Sequence, residues 1–252
     1  MRNRFLYLLL LPLLCCTSCL EILEELQLKS DGSGTYLIQT DMSQIIAMRD
    51  LFGMMGEEMQ GLDTLNMEID SVQTFEALMS KAAFGKLERP EIFQRATMHQ
   101  AISTSKAKAI ITYRLDFRDM YEVNYFRKHL NDALASQTAV QDANPGADMM
   151  SGGGGGFLPA VNQLFTVSRK KLQRAPMAAV STFSAGDSEE LAMVKMMLTD
   201  ATYVTRYVFP GAIKSTTIAG AAIDGAVLTV EAPLIEVLDG NAELGGEVKF
   251  RR

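Results

Sequence analysis

The side chains able to do acid, base or nucleophilic work are few and scattered. Only His99 and His129 are available as imidazoles, and neither has a cysteine, a second histidine or a carboxylate at metal-ligand spacing. His129 reads as a surface residue of a helix, beside Lys128. Ser33 lies in Gly32-Ser33-Gly34, a turn sequence without the strand-to-helix elbow that activates a serine nucleophile. The carboxylate pairs Asp116 with Asp119, and Glu189 with Glu190, sit at a strand end and a helix start. There, acidic groups complement the helix dipole. The run Gly152 to Gly156 is not followed by the Lys-Ser/Thr of a phosphate-binding loop. The expectation is a protein that is not an enzyme, with no cofactor and no metal.

One residue with distinctive chemistry remains, Cys19. Arg2 and Arg4 precede an apolar run from Phe5 to Leu14, the layout of a secretory signal. That run is far shorter than the roughly 20 residues a membrane-crossing helix needs, and it contains Pro12. Cys16-Thr17-Ser18-Cys19 then resembles a lipobox, in which small residues precede a cysteine that takes a diacylglyceryl thioether and becomes the mature N-terminus. Cys16 stands where Leu is usual in that motif. A plain secretory cut after Ser18, leaving a free thiol, is the other reading. All three cysteines lie in the signal and its junction, so the domain holds no disulfide. Acylation would consume the one thiol left, and its two or more chains give durable anchoring. The expected division is a signal over 1–18 and a single extracytoplasmic domain over 19–252.

Loss of the signal removes Arg2 and Arg4 from the 24 basic residues, leaving 22 against 30 acidic ones and a formal charge of −8. Such a balance argues against nucleic acid and against electrostatic docking on anionic headgroups. The expected membrane contact is the lipid on Cys19.

The elements that must position these groups follow from periodicity. Apolar residues at Leu20, Ile22, Leu26 and Leu28, a turn over Ser30-Asp31-Gly32-Ser33-Gly34, and the strand-like Thr35 to Thr40 predict a hairpin. Asp41 to Gln44 has capping-box chemistry ahead of a helical pattern at Ile45, Met48, Leu51, Phe52 and Met55. A second helix is predicted over Val72 to Phe84, a short strand or helix end over 91–98, and a strand over Ala107 to Phe117. A third helix, capped by Asp119, carries Val123, Phe126, Leu130 and Leu134 inward. Residues 137–158, rich in glycine, read as a flexible insertion. A strand is predicted over Leu164 to Val167, and the basic cluster Arg169-Lys170-Lys171-Arg174 reads as a solvated strand end or loop. Asp187 caps a further helix, and Tyr203 to Phe250 reads as an antiparallel meander with an Asp224-Gly225 turn. Strands at both ends and helices between them, without βαβ alternation, predict an α+β fold. Its antiparallel sheet would come from the N- and C-terminal strands, with helices packed on it.

Fifteen methionines follow the initiator, and Met48, Met55, Met59, Met193 and Met197 fall on apolar helix faces. They are either core filler or the lining of a groove for lipid or another apolar ligand, since methionine adapts to irregular shapes. A contiguous exposed patch would distinguish the groove.

The acylated cysteine, the strand ending in Asp31-Gly32-Ser33-Gly34, and Val208-Phe209-Pro210-Gly211 followed by strands with an Asp-Gly turn together resemble the LppM-like family of bacterial envelope lipoproteins. The resemblance implies a non-enzymatic extracytoplasmic α+β domain that binds or handles envelope lipid. This sequence lacks the C-terminal transmembrane helix of some relatives. Leu20, not aspartate, follows the cysteine, which points to the outer rather than the inner membrane. The alternative function is a structural lipoprotein that docks another envelope protein.

Overall fold

Alternation in the first strand sets the architecture. The computed structural model describes residues 20–47, 68–138, 164–177, 179, 195 and 198–251. Strand β1 (Glu21–Leu28) turns Ile22, Glu24, Leu26 and Leu28 to the interior, and β2 (Gly34–Asp41) returns antiparallel to it with Tyr36 and Ile38 buried. The turn closes through Lys29 N–H donating to the Ser33 carbonyl at 2.8 Å. The Asp31 carboxylate accepts from Ser33 N–H and Oγ at 3.0 and 2.7 Å, which holds its pKa below the usual range. Gly34 is required by close approach, because a Cβ there would lie 1.9 Å from the Gln27 carbonyl oxygen.

From this hairpin an eight-stranded sheet grows on both sides. Beyond β2 lie β5 (Lys108–Phe117), β4 (Ala96–Ser103) and β3 (Glu68–Thr74). On the other flank of β1 lie β8 (Thr202–Val208), β11 (Val227–Pro233) and β10 (Ala222–Asp224). A second sheet has the order β6 (Phe165–Ser168), β7 (Lys171–Arg174), β12 (Gly246–Phe250), β9 (Ile213–Thr216). The result is α+β, mostly sheet.

The expected antiparallel sheet is corrected at its centre, where β1 and β8 run parallel, Glu21 opposite Thr202. The long chain between them supplies the crossover that a parallel pair needs. The expected C-terminal meander is also corrected. Only β8, β11 and β10 stay together, while β9 and β12 join the second sheet. Phe209-Pro210-Gly211 makes that crossing, with Phe209 stacked on Phe250 at 4.6 Å between ring centres. The Asp224-Gly225 turn is present, Gly225 at φ 58°.

Helix α1 (Ser43–Ala47) follows β2. The helix predicted over Val72 to Phe84 is a strand end followed by two short helices, α2 (Phe75–Leu78) and α3 (Lys81–Phe84). Val72 lies in register with His99 on β4, and Thr74 and Ser80 each cap a new helix start, so no continuous helix forms. Helix α4 (Pro90–Gln94) precedes β4, and α6 (Leu234–Leu238) follows β11. The long helix α5 (Met120–Thr138) buries Val123, Phe126, Leu130 and Leu134, with Phe126 edge-on to Phe75 and tilted on Phe93. Residues 139–158 of the expected insertion and the helix expected after Asp187 lie outside the described residues, apart from Lys195 and the turn at its end.

Candidate functional site

Helix α5 presents two faces to chemistry. Its start is fixed tightly: Asp119 Oδ1 accepts from Glu122 N–H at 3.1 Å, and Glu122 accepts from Arg118 N–H at 2.8 Å. Arg95, at the end of α4, grips the Glu122 carboxylate with two bonds of 3.1 and 2.6 Å. Burial works against the Glu122 carboxylate, but these donors outweigh it and hold its pKa below the usual range.

One face carries Tyr121, Tyr125 and His129, four residues apart and therefore stacked along the helix. The ring centres of Tyr121 and Tyr125 are 6.2 Å apart, and those of Tyr125 and His129 are 4.5 Å apart. The segment joining α3 to α4 is fastened to this ladder, with Arg89 N–H donating to the Tyr125 hydroxyl at 3.0 Å and its guanidinium lying 5.5 Å from the Tyr121 ring centre. Strand β6 forms the opposing wall. Asn124 fastens it to the helix, accepting from the Leu164 and Phe165 N–H groups at 2.9 Å and donating to the Phe165 carbonyl at 2.8 Å.

Between these walls lies a cleft of about 600 Å³. Tyr121, Met120 and Val167 give it apolar and aromatic surface, backed by the buried Tyr125 and Phe165; Lys86, Lys128 and His129 supply cationic or hydrogen-bonding groups, against Glu88. Its size falls in the range of small-molecule sites. Tyr121 is 54% exposed, which leaves its ring available at the cleft.

Behind Phe165 lies a second cluster. Phe165 packs edge-on against Tyr36 and Tyr207, and these rings border a fully buried charge pair. Glu24 Oε2 accepts from Arg174 Nη2 at 2.6 Å and from the Tyr203 hydroxyl at 3.0 Å, and Oε1 accepts from the Tyr36 hydroxyl at 2.5 Å. Burial drives the pKa of all three tyrosines upward, so they stay neutral. Arg127, from the inner face of α5, is buried within electrostatic reach of the same groups. The solvated basic cluster is therefore corrected at Arg174. Alternation in β7 turns Leu172 and Arg174 inward, and Arg174 is 2% exposed. This pair joins the two sheets and is structural.

The sequence-derived candidates Cys19, Met48, Met55, Met59, Met193 and Met197 lie outside the described residues. His99 pairs with Asp70 across strands at 2.8 Å, and the His129 ring lies 4.0 Å from the Asp132 carboxylate. Asp116 is occupied by Thr35 and Arg114. Among the described residues no group of three or more His, Cys, Asp and Glu could hold a metal ion, and no helix is long and apolar enough to cross a membrane. Sequence reasoning missed the cleft. Its signal was the i, i+4, i+8 spacing of Tyr121, Tyr125 and His129.

The fold and cleft define an α+β protein, mostly sheet, with an aromatic groove along its long helix. No family model matches the chain, and neither does any curated protein. Among solved structures, the folded domain of the Mycobacterium tuberculosis LppM protein, determined by NMR, is similar to it. Sequence identity is 9% and the TM-score 0.42, over 92% of this chain and 90% of that one.

Proposed function

We propose that this chain is a lipoprotein of the cell envelope, held at the outer membrane by an acylated Cys19. Its domain binds an amphipathic ligand without transforming it. The observation that carries the binding reading is the α5 cleft, where an aromatic ladder faces the clamped Phe165 and two lysines stand beside it.

The division of labour follows from the lining. Tyr121, Met120 and Val167 offer apolar surface, worth about 25 cal/mol for each Å² a ligand removes from water, over a floor set by the buried Phe165. Lys86 and Lys128 offer point charges to an acidic headgroup, and His129 adds a donor. Glu88 disfavours a second negative charge near it. A singly acidic amphiphile suits this set better than a neutral lipid.

The test is native mass spectrometry of the protein taken from its membrane, with Lys86→Glu/Lys128→Glu alongside. An adduct beyond the covalent lipid, retained by the parent and lost at least tenfold in the double variant, is expected. A parent that carries no adduct and takes up neither a fatty acid nor an alkyl phosphate after delipidation contradicts the binding reading. A covalent lipid mass missing from Cys19 contradicts the anchor.

A further inference from the structure

The anchoring reading has a geometric consequence. Cys19 is bonded to Leu20, and Leu20 is already part of the fold: its side chain is 3% exposed and its carbonyl accepts from Thr202 N–H at 2.9 Å. Strand β1 begins at the next residue. Adjacent Cα atoms are about 3.8 Å apart, so an acyl group on Cys19 would meet the central part of the larger sheet with no linker between.

Strand register then decides which end of the sheet meets the bilayer. Glu21 stands opposite Asp41 on β2 and Thr202 on β8; Asp41 stands opposite Ile110 on β5, and Thr202 opposite Pro233 on β11. The anchored end therefore carries α1, the start of β5, the Thr199-Asp200 turn and α6. The opposite end carries the β1–β2 turn and the pair Gly34 with Phe117. At about 3.3 Å per residue, β1 separates the two ends by about 23 Å. Sheet twist of roughly 20–25° per strand turns the outermost strands aside, so the footprint centres on the ends of β1, β2, β8 and β11. Helix α5 starts three residues after Phe117, at the end remote from the anchor, and the cleft-lining side chains it supplies all fall between Met120 and His129.

We infer that the domain stands on the bilayer on the end of the sheet formed by α1, the Asp200 turn and α6, and presents the α5 cleft away from the membrane that anchors it. Charge does not set this orientation, since Glu21, Asp200 and Glu236 are exposed at the anchored end. The absence of a tether does. The ligand then reaches the cleft from the aqueous side rather than from the protein's own leaflet.

The inference rests on acylation of Cys19, and the test separates the two. Acylation leaves the mature chain without a reactive thiol, so Asp200→Cys and Ser30→Cys each supply one exposed labelling site, at opposite ends of β1. Each lipidated variant is labelled with a fluorescent donor on phosphatidylethanolamine/phosphatidylglycerol vesicles holding a headgroup-linked acceptor. Transfer several-fold greater from position 200 than from position 30 is expected, with the difference abolished by a ten-residue Gly-Ser insertion between Cys19 and Leu20. Equal or reversed transfer in chains that float with the vesicles overturns the orientation alone. Chains that carry no lipid on Cys19 and do not float overturn the anchor, and the orientation with it.

Discussion

Replacing Glu24 by alanine should be among the most damaging single changes to this domain. The carboxylate is 0% exposed and accepts from Arg174, Tyr203 and Tyr36. Without it the Arg174 guanidinium, which cannot shed its proton, is left charged in the interior near a second buried arginine, Arg127. Breaking a buried pair from one side costs about 3–5 kcal/mol. The stranded tyrosine hydroxyls bring penalties of their own, about 1–3 kcal/mol each before relaxation. A loss of about 5 kcal/mol or more is a large share of the roughly 5–15 kcal/mol that holds a domain folded. Arg174→Met should cost about the same, because it strands the carboxylate. The double change Glu24→Leu/Arg174→Met removes both charges and leaves chiefly the hydroxyls of Tyr36 and Tyr203 without their acceptor. It should therefore cost about 2–3 kcal/mol, less than either single change. Urea unfolding of the signal-free chain, followed by circular dichroism, measures all three. Single variants within about 1 kcal/mol of the parent, or a double variant that loses the sum of the two, would refute the reasoning.

Further expectations follow from the same contacts. Glu122 has its folded pKa held below the ordinary carboxylate value of 4.5, so its contribution is complete above that value and is lost as pH falls through the folded one. Glu122→Gln should thus be less stable at pH 7 and show a shallower decline on acidification, read from urea midpoints between pH 7 and pH 3; an unchanged slope would count against the Arg95 grip. Gly34→Ala should cost about 3 kcal/mol or more, since the new Cβ meets the Gln27 carbonyl and the Phe117 ring, and a thermal midpoint within a degree of the parent would contradict this. Val72→Lys, at a site 65% exposed on the edge strand β3, should stay within about 0.5 kcal/mol of the parent and reduce self-association on heating, checked by light scattering.

Local patterns were legible and distant pairings were not. The first hairpin, β5, the capped start of α5 and the Asp224-Gly225 turn follow from alternation, capping residues and turn chemistry within a few positions. The parallel seam between β1 and β8 joins segments far apart in sequence, and nothing local marks it. Glu24 shares the even positions of Ile22, Leu26 and Leu28, so alternation alone places it inward, against the usual solvation of a carboxylate. Arg174 was harder, because three neighbouring cations made the cluster look solvated and its partner is 150 residues away. Along α5 the spacing of Val123, Phe126, Leu130 and Leu134 marks the buried face, whereas Tyr121, Tyr125 and His129 form a second face whose spacing alone does not say what it meets. Their meaning depends on Phe165, which reaches them only through the fold. Val72 went to a strand because ladder pairing with His99 and the cap at Thr74 override its helical spacing.

Binding of an acidic amphiphile in the α5 cleft can be measured directly, because the chain has no tryptophan. Tyr121→Trp places a single indole at the cleft while keeping the ladder aromatic, and its fluorescence can be followed as dodecyl phosphate is added below its micelle concentration. A saturable blue shift is expected, weakened at least tenfold by Lys86→Glu/Lys128→Glu, with neutral dodecyl maltoside binding more weakly. A spectrum that does not move, or one that moves equally for the neutral amphiphile and the charge-reversed cleft, would contradict it.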